Sequence, residues 1–399
     1  MKDIKIKPAS KTHNVTYAIR DIIVLAEEVK KSGKELLYLN IGDPNVYDFV
    51  TPKHVIEATY KAMLENKNGY APSSGIKPAI DAIVRDAERK GIKNILDVFI
   101  TTGASEAIEI CLTALLNPGE NFLMPTPGYP LYTAVQSKLE LVSNPYYLDE
   151  ENGWQPDIED IKSKINDKTR AIVLINPNNP TGSVCKKETL LKIIDLALEH
   201  NLVIIADEIY DKLIFGEKEF ISIASLNQEV SCITFSGLSK NYIAPGFRLG
   251  WGVVSGNRSV LSDYIDAINK LLRARVSANH PEQHSIIAAL DGDQSHLTDV
   301  NNRLKNRLEI TMNKLATIPG ISLVRPDGAF YAFPSIEVED DNDFCKELLK
   351  ETGVVVVPGS GFGQKPGSHH FRIVILPPEE ILNKAFDRIA EFYAKYKVL

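Results

Sequence analysis

Short apolar runs punctuate the chain: VFIT at 98–101, NFLM at 121–124, AIVLI at 171–175, LVIIA at 202–206 and CITF at 232–235. Longer amphipathic segments separate them. Between Lys187 and His200, for example, Leu190, Leu191, Ile194 and Leu198 fall at helical intervals of three and four. Strand-length apolar runs alternating with such segments predict parallel strands with crossover helices covering both faces of a sheet. The texture changes after about residue 285. Charged helical patterns at 297–315 and 378–396 flank a strand-like AFYAFP and an apolar VVVVP, which predicts a second, smaller α+β domain. No repeat, low-complexity tract or Gly/Ser linker parts the two, so they are expected to share a cleft.

A length of 399 residues fits one large and one smaller domain. The net charge of −7 is spread along the whole chain. That argues against a nucleic-acid surface or a polybasic membrane anchor and in favour of a small-molecule partner. Cys111, Cys185, Cys232 and Cys345 lie far apart with no CxxC pair, so they read as buried small hydrophobes of a reducing compartment. The opening MKDIKIKPAS lacks a signal-peptide apolar core, and no segment is apolar enough to span a bilayer. A cytoplasmic location is expected.

Candidate chemistry begins at SGLSKNYIAPGFRLGW, where Lys240 follows the strand CITF and stands among Ser236, Ser239 and Arg248. Lysine is the side chain that forms an imine with an aldehyde. A neighbouring Arg248 would disfavour the ammonium form and hold an anionic phosphate, which Ser236 would share. Read alone, SxxK also fits a solvated loop lysine. In ADEIYD, Asp207 ends the strand LVIIA, where ligands of open α/β sheets bind. A carboxylate there suits a cationic partner such as a protonated ring nitrogen, with Tyr210 reaching a ring hydroxyl, although a helix cap is an equal alternative. NPNNPTG at 176–182 makes a rigid turn after AIVLI that points Asn179 into the cleft, unless its amide serves only its own backbone. TTGASEA at 101–107 opens a helix through Leu116. The amides of Gly103, Ala104 and Ser105 would form an anion site there, against the plainer alternative of a capping box with Ser105 as cap.

Taken in order, TTGASEA, PTPGYP, NPNNPTG, ADEIYD, SGLSKNYIAPGFRLGW and the FRI around Arg372 resemble class I aminotransferases of pyridoxal-phosphate fold type I over nearly the whole chain. The resemblance implies an α/β fold like that of aspartate aminotransferase. A large cofactor domain over 49–286 would carry a mainly parallel seven-stranded sheet between helices. Residues 1–48, as a lid segment, and 287–399 would form the small domain. It implies pyridoxal 5'-phosphate as cofactor, with Lys240 forming the imine and later moving the proton. Asp207 would meet the pyridine nitrogen, Asn179 and Tyr210 the ring oxygen, and Tyr129 the ring face. The phosphate would lie on Gly103, Ala104 and Ser105 with Ser236 and Arg248. Tyr70 of NGYAPSSG matches the tyrosine that family homodimers lend across their interface. Arg372 would grip the substrate carboxylate, assisted by Asn179 and the backbone of Gly42 in LNIGDP.

YAIR at 17–20 and RARVSANHPEQ at 273–283 further resemble the bacterial and archaeal alanine-aminotransferase subgroup, with Tyr17, Arg20 and Tyr129 around the substrate. Asp21 departs from the glycine that subgroup members commonly carry there. The implied reaction passes an amino group between an amino acid, alanine by this subgroup, and 2-oxoglutarate. The alternatives are aspartate, glutamate, aromatic or branched-chain donors, with Arg273 or Arg275 serving a second carboxylate, or a carbon–sulfur lyase on the same scaffold. A sensor domain of a transcription factor is disfavoured, because no helix-turn-helix precedes residue 16 and Lys240 is intact. PGSGFG at 358–363 lacks the third glycine of a dinucleotide loop. HPEQH at 280–284 misplaces the glutamate of a metalloprotease helix and puts Pro281 where a helix begins, and His369 and His370 read as solvated loop residues. No metal site is expected.

Overall fold

The computed structural model describes residues 6–12, 15, 18–216 and 218–396, without the side chains of 18–21. The central sheet consists of β1 (Ile95–Thr102), β2 (Asn121–Thr126), β3 (Pro145–Asp149), β4 (Gln155–Pro156), β5 (Thr169–Ile175), β6 (Val203–Asp207), β7 (Cys232–Gly237) and β8 (Leu249–Ser255). Their order is β1-β8-β7-β6-β5-β2-β3-β4. The run from β7 to β3 is parallel, β8 lies antiparallel between β1 and β7, and β4 pairs antiparallel with β3. Eight strands replace the expected seven. The extra one arises where the chain turns back after Asp149, with Trp154 donating its amide to Asp149 at 2.7 Å and Gln155 pairing with Asp149.

All five apolar runs are strands, and side-chain alternation explains why they lack a polar face. In β5, Ile172 and Leu174 join one buried cluster while Ala171, Val173 and Ile175 join another on the opposite face. The first cluster is roofed by helices Lys77–Arg89, Lys187–Glu199 and His280–Asp291, the second by Ala104–Leu115, Pro130–Lys138 and Arg258–Ala274. Helix Lys187–Glu199 buries Leu190, Ile193, Ile194 and Ala197, whereas Leu191 and Leu198 face outward. The expected apolar stripe is thus rotated toward Ile193.

A second core gathers around a small antiparallel sheet of β9 (Tyr331–Ala332), β10 (Val357–Pro358) and β11 (Phe371–Val374), ordered β9-β11-β10. Helices Ser295–Leu315, Asp341–Thr352 and Glu379–Tyr396 pack on it. Phe344 anchors this core with the rings of Phe371, Phe392, Tyr393 and Tyr396 at 5.6 to 5.9 Å, and burying one such aromatic is worth about 1.5–3 kcal/mol. The early chain is stitched into the same core, Leu37–Tyr38 pairing in parallel with Val354–Val355 and Leu39 accepting the amide of Val374 at 2.8 Å. Ile209, Tyr210 and Leu213, just after β6, also belong to it, so the two cores meet at the carboxyl ends of the parallel strands. The four cysteines are buried and free. Among the described residues no helix is long and apolar enough to cross a membrane.

Candidate active site

Where the two cores meet lies a cavity of about 200 Å³ lined by Ala104, Ser105, Tyr129, Asn179, Asp207, Tyr210, Ser239, Lys240, Arg248 and Tyr331, among others. Eight of these were expected from sequence, and each arrives by a strand end. Asp207 is the last residue of β6 and Lys240 follows β7. Asn179 follows β5, and Ala104 begins the helix after β1.

The helix after β1 opens on Gly103, whose φ of +79° favours glycine, and no side chain caps it. Ser105 is therefore not a cap. The amide of Gly103 donates to Thr101 at 2.8 Å, which corrects its assignment as an anion donor, whereas Ala104 and Ser105 line the cavity. What Gly103 provides is space, since a Cβ would meet the guanidinium of Arg248. Gly250 in β8 acts likewise, its missing Cβ making room for the backbone nitrogen of Ala104. A guanidinium and a helix amino terminus thus converge at one end of the cavity. Ser236 lies inside β7 opposite Trp251 and does not line the cavity. Ser239 does, because it stands past the strand end.

Asp207 lies deeper. It is buried, accepts from the Tyr132 hydroxyl at 3.2 Å and from the Ile209 amide at 3.4 Å, and is not a helix cap. Burial pushes its carboxyl up to about 6, against those two bonds and the nearby Lys240 ammonium. Such a buried carboxylate is suited to a cationic nitrogen.

Between these ends, Lys240 donates to the carbonyl of Gly42 at 2.8 Å and lies 5.4 Å over the Phe330 ring. Its amine is pulled down to about 8, chiefly by burial. Asp43 opposes the shift, Arg372 and then Arg248 add to it, and Asp207 opposes it. Burial, more than the adjacent arginine anticipated from sequence, activates it. The lysine loop is fixed by its next residue: Asn241 donates to Asp211 at 2.6 Å, and Asp211 pairs with the half-buried Lys90.

The turn 176–182 is held by Asn176, which accepts from the Cys185 amide at 2.9 Å, and by Asn178, which accepts from the Thr181 hydroxyl at 2.9 Å. Asn179 is spared for the cavity, where its Oδ1 accepts from Arg372 at 3.3 Å. Arg372 is buried, donates to the Asn40 carbonyl at 2.8 Å and is sandwiched by Tyr331 and Phe362, each ring 4.7 Å from its guanidinium carbon.

Other expected residues fall elsewhere. Tyr70 is 88% exposed and away from this cavity. Tyr17 and the side chain of Arg20 lie outside the described residues. Arg273 is exposed, while Arg275 binds Glu106 at 3.3 Å and the Ile100 carbonyl at 2.6 Å, so neither reaches the cavity. Pro281 does begin a helix, and no cluster of three metal-ligating side chains occurs among the described residues. His370 is corrected from a solvated loop residue to a buried one. It stacks on Phe333 at 4.7 Å between Gln364 at 3.0 Å and Glu150 at 3.1 Å. Tyr331 and Tyr132 were missed. AFYAFP was visible as a strand, but its inward tyrosine depends on the pairing with β11.

Residues 34–389 match the family model for aminotransferase class I and II. The chain is 38% identical to the glutamate-pyruvate aminotransferase AlaA of Escherichia coli over 99% of both chains, and 39% identical to an alanine aminotransferase of Mycobacterium tuberculosis over 98% of this chain and 93% of that one. The solved alanine aminotransferase of Pyrococcus furiosus superposes with a TM-score of 0.94 at 41% identity, covering 98% of this chain and 100% of that one. An aspartate aminotransferase of Thermus thermophilus gives 0.88 at 28%, covering 97% and 100%. With this cavity, in which a helix amino terminus beside a guanidinium, an amine and a buried carboxylate follow one another, the chain belongs to the class I and II aminotransferases, enzymes that depend on pyridoxal phosphate and share the aspartate-aminotransferase-like fold.

Proposed function

We propose that this enzyme exchanges an amino group between alanine and 2-oxoglutarate, a reading supported by its likeness to glutamate-pyruvate and alanine aminotransferases. The observation that carries the site reading is the convergence of Lys240 and Asp207 on one cavity at the strand ends, with Arg372 bonded to Asn179 of its lining. The donor set fits pyridoxal phosphate. Ala104, Ser105, Ser239 and Arg248 would hold the phosphate, Asp207 the ring nitrogen, Asn179 and Tyr210 the ring oxygen, and Tyr129 the ring face. When bound, the cofactor supplies an aldehyde that takes up an amino group and a ring that accepts an electron pair.

The chain's own residues supply the rest. Arg372, held flat between Tyr331 and Phe362, presents a guanidinium edge to the substrate carboxylate with Asn179 beside it. Lys240, lowered to about 8, is a base near neutral pH and moves the proton at the substrate Cα. Asp207 would keep a proton on the ring nitrogen. Tyr70, exposed in one protomer, would complete the phosphate site of a second copy. An apolar stripe favours that homodimer: Ile56, Tyr60, Met63 and Leu64 are exposed at helical spacing on Lys53–Leu64. Arg275 is engaged by Glu106 and the Ile100 carbonyl of its own chain, which disfavours it as the grip for the second carboxylate of a dicarboxylic donor.

The test is to incubate purified, cofactor-loaded enzyme with alanine, with and without 2-oxoglutarate. Pyruvate and glutamate formed only when both are present support the proposal. Pyruvate with free ammonia from alanine alone would make the enzyme a lyase, and faster exchange from aspartate or tyrosine would reassign the donor.

A further inference from the structure

Tyr331 touches both halves of this site. Its hydroxyl lies 2.9 Å from that of Tyr210 and its ring meets Tyr210 edge-on, with centroids 5.7 Å apart. The same ring carries the Arg372 guanidinium at 4.7 Å. Its hydroxyl also fills the space a Cβ on Gly42 would need, at 2.6 Å, and Gly42 accepts from Lys240. The backbone is fixed opposite Val374 in the pairing of β9 with β11, the strand that bears Arg372, and the residue is buried.

We infer that Tyr331 is a positioning residue that orients Tyr210 through its hydroxyl and Arg372 through its ring, so that the ring-oxygen contact and the carboxylate grip are set by one side chain. This rests on the roles proposed above for Tyr210 and Arg372. The proton order follows from the inventory. Each phenol has one proton, and if Tyr210 gives its own to an oxyanion on the cofactor, the bond between the tyrosines must run from Tyr331 to Tyr210. A hydroxyl that accepts a hydrogen bond donates more strongly, so Tyr331 strengthens the contact Tyr210 makes. The guanidinium, stacked on two rings, keeps its plane when the substrate leaves.

The two functions separate by substitution. Tyr331→Phe keeps the ring and removes the proton. Tyr210 then donates less well, the ring oxygen stays more basic, and it holds the proton on the neighbouring Lys240 nitrogen more tightly. The pH midpoint of the bound cofactor's absorbance should rise by about 0.3 to 1 unit, the weight of a neutral hydrogen bond, with KM for alanine within about twofold of wild type. Tyr331→Leu removes the ring as well and should also raise KM for both alanine and 2-oxoglutarate, by roughly 3- to 30-fold for a lost cation–π contact. Far-ultraviolet circular dichroism and cofactor content check that each variant is folded and loaded.

An unmoved midpoint in folded, loaded Tyr331→Phe overturns the hydroxyl role. Unchanged KM values in Tyr331→Leu overturn the ring role. Wild-type enzyme that fails to exchange amino groups would instead sink the proposed function, so the two failures are distinguishable.

Discussion

An amine attacks an aldehyde only as the free base, and burial has brought Lys240 to about 8 from an ordinary 10.5. Cofactor capture by the cofactor-free enzyme should therefore accelerate as pH rises through about 8 and level off above it, as read by absorbance after mixing; a rate that keeps climbing toward 10.5 without levelling would show the shift to be absent. In the window from 8 to 10.5 the unfolded chain holds a proton that the folded chain lacks, so this group makes folding more favourable as pH rises across it. Arg372→Ala should weaken both substrates by about 1.5–3 kcal/mol, the loss of a charge-assisted bond, seen as raised KM. Asp207 illustrates the opposite tension. Its folded value of about 6 exceeds the ordinary 3.8, so its contribution to stability is full below 3.8 and declines as pH rises through 6. Asp207→Asn should make the cofactor-free fold more stable at neutral pH by roughly 1–3 kcal/mol while lowering cofactor affinity. A melting temperature that falls would contradict that account. Lys240, Asp207 and Asn179 were legible because strand-end chemistry is written locally. Tyr331 and the burial of His370 were not, since each depends on partners far along the chain, β11 for one and Glu150 for the other.

At the level of elements, the meeting of Arg248 with the helix start depends on how closely β8 lies under the helix after β1. Gly250→Ala places a methyl against the backbone nitrogen of Ala104, which cannot move without lifting the helix start. We expect a loss of about 1–3 kcal/mol, measured by denaturant unfolding, together with weaker cofactor binding. Strands with uninterrupted apolar runs were readable from the sequence. LGWGVVS was not, because two glycines hide a strand whose glycines are there for close approach to Ala104 and Phe99. PYYLD and the two-residue β4 were too short and mixed to stand out.

For the whole molecule, the exposed stripe Ile56, Tyr60, Met63 and Leu64 together with Tyr70 is the proposed contact between copies. Leu64→Glu should shift sedimentation toward the monomer and release cofactor, since a carboxylate buried without a partner opposes association by about 2 kcal/mol or more. A variant that stays dimeric would place the interface elsewhere. The change of texture after residue 285 was legible from the sequence, but the stitching of the early chain into the late core was not, because a two-residue parallel pair leaves almost no local pattern.

That stitching has a consequence for synthesis. Arg372 reaches the carbonyl of Asn40 across 332 residues, so a chain still emerging from the ribosome already contains Lys240 and Asp207 long before it contains the arginine. Contacts of such sequence separation form late. A truncated or stalled product would therefore carry Lys240 without the Phe330 ring and the Arg372 guanidinium that adjoin it in the folded enzyme, and its amine would keep the ordinary high pKa of an exposed lysine until the final strand has docked.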